Sequence, residues 1–142
     1  MSDKGAIRIL IIEDDIEYRH LLRLQLSVVG YATEVAEDGV EGGKAILARP
    51  PNLILCDINM PHLSGLELVA LMRTDEHSAS IPVIFMSGSN DGDTLARAVA
   101  LGAADFLAKP ITHAELLASV EACLKAGGRR PVARDVGFPP VV

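Results

Sequence analysis

The chain alternates. Five short apolar runs, near residues 6–12, 31–36, 53–56, 82–86 and 105–108, are each followed by a longer stretch in which apolar residues recur at helical spacing. Each repeat is joined to the next by a short connection, and parallel neighbours need a crossover element between them. That pattern predicts an α/β domain with a five-stranded parallel sheet covered by helices on both faces. At 142 residues, with 49% hydrophobic and 23% charged, the chain is large enough for one domain with a real core.

The first run, with Ile7, Ile9, Leu10, Ile11 and Ile12, reads as a buried strand. A helix is expected over 16–29, marked by Leu21, Leu22, Leu24 and Val28 and stopped by Gly30. In 31–36, Tyr31, Thr33 and Val35 alternate with Ala32, Glu34 and Ala36, as suits a strand near a sheet edge. Helices are expected over 40–48, weakened by Gly42 and Gly43, over 66–73 after Ser64-Gly65, and over 94–101 before Gly102. Thr112-x-x-Glu115 is a capping box that opens a last helix with Leu116, Leu117, Val120, Cys123 and Leu124 on one face. From Gly127 the period is lost among Arg129, Arg130, Pro131, Pro139 and Pro140. Residues 1–126 are therefore read as the domain and 127–142 as a flexible tail or linker. The apolar end of that tail, 136–142, is a candidate for docking.

The net charge of −6 argues against a nucleic-acid binder, which needs clustered Lys and Arg to neutralise phosphates. No secretory signal pattern opens the chain, and no apolar run reaches the roughly 18 residues of a membrane span. A cytoplasmic protein without a membrane partner is expected. Cys56 and Cys123 both fall in apolar periodic segments and read as buried free thiols.

Polar residues concentrate where the apolar runs stop. The first run ends in Glu13-Asp14-Asp15, the third in Asp57, the fourth in Ser87 and the fifth in Lys109. Ligands of open parallel sheets bind outside these carboxyl ends. If the first and third strands are neighbours, their carboxylates converge, and like charges so close need a cation. Mg²⁺ suits a few carboxylates, a carbonyl and water. Asp57 is then a nucleophile for a phosphoryl group, with Lys109 offering positive charge and the Ser87 hydroxyl a hydrogen bond.

Ile11-Ile12-Glu13-Asp14-Asp15, Asp57-Ile58-Asn59-Met60-Pro61 with Ser64-Gly65, Phe85-Met86-Ser87-Gly88, Leu101-Gly102-Ala103 and Phe106-Leu107-Ala108-Lys109-Pro110 together resemble the receiver domain of bacterial two-component response regulators. The resemblance covers residues 7–124. It implies a flavodoxin-like doubly wound (βα)5 fold with strand order 2-1-3-4-5. It implies that Asp57 is the phosphoacceptor and Asp14 a direct metal ligand, that Glu13 acts through water, and that Asn59 gives its backbone carbonyl. Ser87 and Lys109 would bind the phosphoryl group, with Ser87 and Phe106 forming the switch. Phe106 has no hydroxyl, so a switch read through one is closed to it. Gly88 and Ser89 are small and leave water access to an acyl phosphate. The implied partners are a sensor histidine kinase or histidine phosphotransfer protein and a downstream protein, reached through the fourth helix, fifth strand and fifth helix. A monomer or a weak phosphorylation-dependent dimer is expected, and a single-domain receiver, since no output domain is recognisable after Lys125. The domain would catalyse only its own phosphorylation and dephosphorylation.

Competing readings are simpler or chemically different. Asp15 is read as a helix cap. Phe106 also suits plain core, and His20, His62, His77 and His113 lack ligand spacing and read as surface residues. A haloacid-dehalogenase-like aspartyl-phosphate phosphatase wants an acid two residues after its nucleophile, where this chain has Asn59. A flavodoxin-like cofactor binder wants a hydroxyl- or glycine-rich loop where Glu13-Asp14-Asp15 stands. A receiver cut from a longer regulator is the remaining alternative.

Overall fold

A computed structural model describes residues 7–89 and 91–126. The tail expected over 127–142, with its apolar end, lies outside the described residues. Strands β1 (Arg8–Ile12), β2 (Ala32–Ala36), β3 (Leu53–Asp57), β4 (Val83–Ser87) and β5 (Asp105–Ala108) pair in parallel in the order β2-β1-β3-β4-β5. Helices α1 (Ile16–Val28), α2 (Gly39–Ala48), α3 (Gly65–Met72), α4 (Gly92–Ala100) and α5 (His113–Lys125) follow the strands in turn. The five-stranded parallel sheet covered on both faces is what the alternation predicts, and the doubly wound (βα)5 order with β2 at an edge is what the resemblance implies.

The two-residue period of the strands divides the core. Leu10, Ile12, Ile54, Cys56, Val83, Phe85 and Phe106 face α2, α3 and α4, meeting Ile46, Leu66, Val69, Met72, Leu95 and Ala98. Ile9, Ile11, Leu53, Leu55, Ile84, Met86 and Leu107 face α1 and α5, meeting Leu22, Leu26, Leu116, Val120 and Cys123. Burying a side chain of this size stabilises by about 1.5–3 kcal/mol, so both layers contribute. The two cysteines are buried outside any disulfide, Cys56 on one side of the sheet and Cys123 on the other.

Differences from the expected elements have local causes. Helix α1 buries Leu22 and Leu26, whereas Leu21, Leu24 and Val28 are exposed. At 100° per residue those three fall on the opposite stripe, so they mark the helix without marking its inner face. Tyr31 precedes β2 rather than opening it. Gly30 turns the chain at φ 105°, and the Tyr31 amide donates back to the Leu26 carbonyl. Helices α2 and α4 start earlier than expected because Asp38 and Asp91 cap them, accepting from the Glu41 and Thr94 amides at 2.8 and 2.7 Å. A capping box of Ser64 and Glu67, unread in the sequence, opens α3, and the Thr112–Glu115 box opens α5 as read.

Gly65 and Gly43 make opposite demands. A Cβ on Gly65 would collide with the backbone oxygen of Asp57, so this glycine lets α3 start directly against the end of β3. A Cβ on Gly43 would meet only Leu68 Cδ1, at an ordinary 3.5 Å. Gly43→Ala is therefore expected to stabilise the protein by up to about 1 kcal/mol. Gly65→Ala is expected to destabilise it by about 1–3 kcal/mol or more. Urea unfolding midpoints of the two variants check this, and midpoints moving in the same direction would contradict it.

Candidate functional site

Four of the five parallel strands, β1, β3, β4 and β5, deliver polar side chains at the carboxyl rim. Beyond β1, the Glu13 amide continues the ladder by donating to the Ala36 carbonyl, which turns the Glu13 side chain into the protein, where it is 1% exposed. Glu13 Oε2 accepts from the Asp15 amide at 3.1 Å, and the Glu13 carbonyl accepts from Arg19 Nη1 at 2.8 Å. Asp15 caps α1 as read, accepting from the Glu17 and Tyr18 amides. Asp14, between them, is exposed.

Asp57 is the last residue of β3 and only 3% exposed. Its Oδ1 accepts from the Asn59 amide at 3.2 Å and lies 3.4 Å from Lys109 Nζ. Lys109 Nζ donates to Glu13 Oε1 at 2.8 Å, and the Lys109 amide donates to the Ser87 carbonyl. One ammonium from the end of β5 thus bridges acids from the ends of β1 and β3. The peptide bond from Lys109 to Pro110 is cis. Carboxylate oxygens of Glu13, Asp14 and Asp57 all lie within 4.8 Å of one another.

The electrostatics follow from this crowding. Burial first, and the Glu13 charge second, push the Asp57 carboxyl up to about 7, with Lys109 and the Asn59 amide working the other way. Burial works to lower the Lys109 ammonium, but the hydrogen bond to Glu13 and the charges of Asp57 and Glu13 outweigh it and hold it above the ordinary lysine range. Three carboxylates facing one ammonium leave an excess of negative charge. A hard divalent cation with oxygen ligands fits that donor set and would relieve the excess. Glu13, Asp14 and Asp57 each offer one carboxylate oxygen that could hold it.

Ser87 is buried at the end of β4. Its hydroxyl donates to Asn59 Oδ1 at 3.1 Å and accepts from the Ser89 amide at 3.0 Å. Asn59, expected for its backbone carbonyl, thus also ties β3 to β4 through its side chain. Phe106 is buried and packs in the layer that holds Leu95 and Ala98 of α4, so its ring sits inside the fold. Gly88 has open space around it, and Ser89 Oγ donates to Asp91 Oδ2. The four histidines are exposed, as read.

Tyr18 is the site residue that the sequence reading missed. Its ring centroid lies 4.9 Å from Lys109 Nζ. Burial pushes its hydroxyl pKa up. The Ile111 amide partly opposes the shift, yet the hydroxyl is shut from solvent and makes no hydrogen bond of full geometry. The signal was present in the sequence, because Tyr18, Leu22 and Leu26 recur every four residues along the inner face of α1.

The raised Asp57 pKa has a consequence for stability. A carboxyl whose folded-state pKa exceeds its unfolded value favours the fold while protonated, and that benefit is lost as pH rises through about 7. In metal-free buffer, Asp57→Asn is therefore expected to stabilise the protein at pH 8 by on the order of 2–4 kcal/mol. The gain should shrink as pH falls toward 4. Denaturant titrations at several pH values check this, and a pH-independent difference between variant and parent would contradict it.

Residues 9–121 match the family model described as the response regulator receiver domain. The chain is 32% identical over 120 residues to the phosphate regulon transcriptional regulatory protein PhoB of Pseudomonas aeruginosa, covering 84% of this chain and 52% of that protein. It is 34% identical over 126 residues to the DNA-binding dual master transcriptional regulator RpaA of Synechocystis, covering 89% and 52%. The chain spans about half the length of these curated relatives. In structure it is similar to the chemotaxis response regulator CheY4 of Vibrio cholerae, with a TM-score of 0.78 at 26% identity over 82% of this chain and 97% of that one. Among the described residues no helix is long and apolar enough to cross a membrane. With the strand-end cluster, the sheet order and the matched span in agreement, the chain belongs to the response regulator receiver domain family of two-component signalling.

Proposed function

We propose that Asp57 accepts a phosphoryl group from the phosphohistidine of a sensor histidine kinase or histidine phosphotransfer protein, in a Mg²⁺-dependent reaction. The observation that carries this reading is the meeting of Glu13, Asp14, Asp57 and Lys109, brought from the ends of β1, β3 and β5 to one spot. An Asp57 carboxylate oxygen attacks phosphorus, the bond from phosphorus to the donor imidazole nitrogen breaks, and the imidazole keeps the electron pair. Lys109 faces the oxygens that carry the developing charge, and Ser87 can turn its hydroxyl from Asn59 toward them. Asp14 and Asp57, with the Asn59 backbone carbonyl, would hold the ion, and Glu13 would reach it through water. When bound, the ion neutralises charge shared by the carboxylates and the phosphoryl oxygens.

In this reading Ser87 and Phe106 transmit the modification to a protein-binding face formed by α4, β5 and α5, and the acidic domain acts by protein contact rather than by direct nucleic-acid binding. The domain catalyses only its own phosphorylation and dephosphorylation. The half-length coverage of the relatives favours a second arrangement, in which this receiver is one part of a longer regulator. DNA binding is named for RpaA, and an output of that kind would then belong to the remainder of such a protein.

Acetyl phosphate with Mg²⁺ is expected to add one phosphoryl mass to the protein. Asp57→Asn should abolish the adduct, and Lys109→Met should reduce it at least tenfold. Intact-mass spectrometry reads all three, and an undiminished adduct in Asp57→Asn would rule Asp57 out. Turnover of a small phosphomonoester would instead support a phosphatase. Millimolar Mg²⁺ should also raise the thermal midpoint of the parent at pH 8, because a ligand of the native state stabilises it. Asp14→Asn should lose that shift, and calorimetry with and without chelator decides it.

A further inference from the structure

We infer that Tyr18 is a positioning residue for Lys109, its ring holding the ammonium beside Asp57 by a cation–π contact. The inference rests on the phosphoacceptor reading and deepens it. Lys109 Nζ has two acidic neighbours, Glu13 Oε1 at 2.8 Å and Asp57 Oδ1 at 3.4 Å, so its closer partner is the acid that is not the nucleophile. A third contact decides where a flexible side chain with three donors rests. The Tyr18 ring supplies it at 4.9 Å, inside the roughly 6 Å over which a ring face attracts a cation, and the half-buried setting strengthens that attraction.

The ring is itself fixed from several directions. Asp15 Oδ1, the cap of α1, accepts the Tyr18 amide at 3.2 Å. Leu22 and Leu26, one and two turns on, anchor the same helix face in the core, and Tyr18 packs against their layer. Its hydroxyl is shut from solvent near the Ile111 amide, without a hydrogen bond of full geometry. What Tyr18 offers the site is the face of a ring held on a rigid element.

Three measurements on the full chain test this. The rate of Asp57 labelling by acetyl phosphate should fall about three- to tenfold in Tyr18→Leu and stay within twofold in Tyr18→Phe, which keeps the ring. Fluorinated phenylalanines at position 18 keep the ring volume while draining its face of charge, so the rate should fall with each added fluorine even if Tyr18→Leu folds poorly. Without phosphoryl donor or metal, the Lys109 ε-methylene proton resonance should be shifted by the ring in the parent and in Tyr18→Phe. A flat fluorine series, or a Tyr18→Phe protein as slow as Tyr18→Leu, overturns the role of Tyr18 while leaving Asp57 as phosphoacceptor. A Lys109 resonance unchanged by loss of the ring does the same. An unlabelled parent overturns the phosphoacceptor reading and the role of Tyr18 with it.

Discussion

The site depends on one long-range ion pair. Glu13 and Lys109 stand at the ends of β1 and β5, which the order β2-β1-β3-β4-β5 places three strand spacings apart, about 14 Å at about 4.8 Å each. Two long side chains extended toward each other are needed to close that gap. The glutamate at position 13 supplies one methylene more than an aspartate would, and that reach brings it to 2.8 Å from the ammonium. Between them, β4 ends in the small Ser87 and β3 in the short Asp57, so nothing bulky blocks the crossing. Lys109 lies closer to Glu13 than to Asp57, and burial of Asp57 together with the Glu13 charge outweighs the ammonium and raises the Asp57 pKa. A site balanced in charge on its own would have less call for a cation. This one is built in deficit, which is what makes a divalent ion a fitting guest.

Much of this was legible in the residues. Five apolar runs carry the element order, and four of them stop at Glu13, Asp57, Ser87 and Lys109, which the parallel sheet brings to one rim. The strand order came from the resemblance, and periodicity alone does not contain it. Boundaries slipped by one or two residues where a cap outranked the apolar pattern, as at Asp38 and Asp91. Contacts between distant segments stayed hidden. Asn59 to Ser87 spans 28 positions, and Asp105 to Ser119, a buried 2.6 Å hydrogen bond between β5 and α5, spans 14. Nothing local in those residues announces the partner, because the partner is chosen by sheet order and helix packing. Leu21, Leu24 and Val28 show the reverse failure. They are apolar and helical in spacing, yet they face outward, and a helix with apolar residues on two stripes does not say which one it buries.

The energetics of a switch set a last constraint. Moving a face from 1:99 to 99:1 takes about 5.5 kcal/mol of discrimination between two conformations. The Ser87 hydroxyl already has Asn59 Oδ1 as acceptor, so turning it to a phosphoryl oxygen, as proposed, would exchange one hydrogen bond for a charge-assisted one. That exchange is worth on the order of 1–2 kcal/mol, well short of the requirement. Lys109 would likewise exchange the carboxylate partners it already has for phosphoryl oxygens. Phe106, already inside the fold beside the α4 layer, has no further apolar surface to bury, so its packing favours the arrangement seen here before any modification. On the proposed reading, phosphorylation would have less work to do on the aromatic ring than on the β4–α4 connection, where Ser87 is linked to Ser89 and Ser89 to Asp91 by hydrogen bonds. The readout of the proposed modification is accordingly expected to begin at that connection and reach the α4 face through the Asp91 cap, with Phe106 holding the sheet side in place.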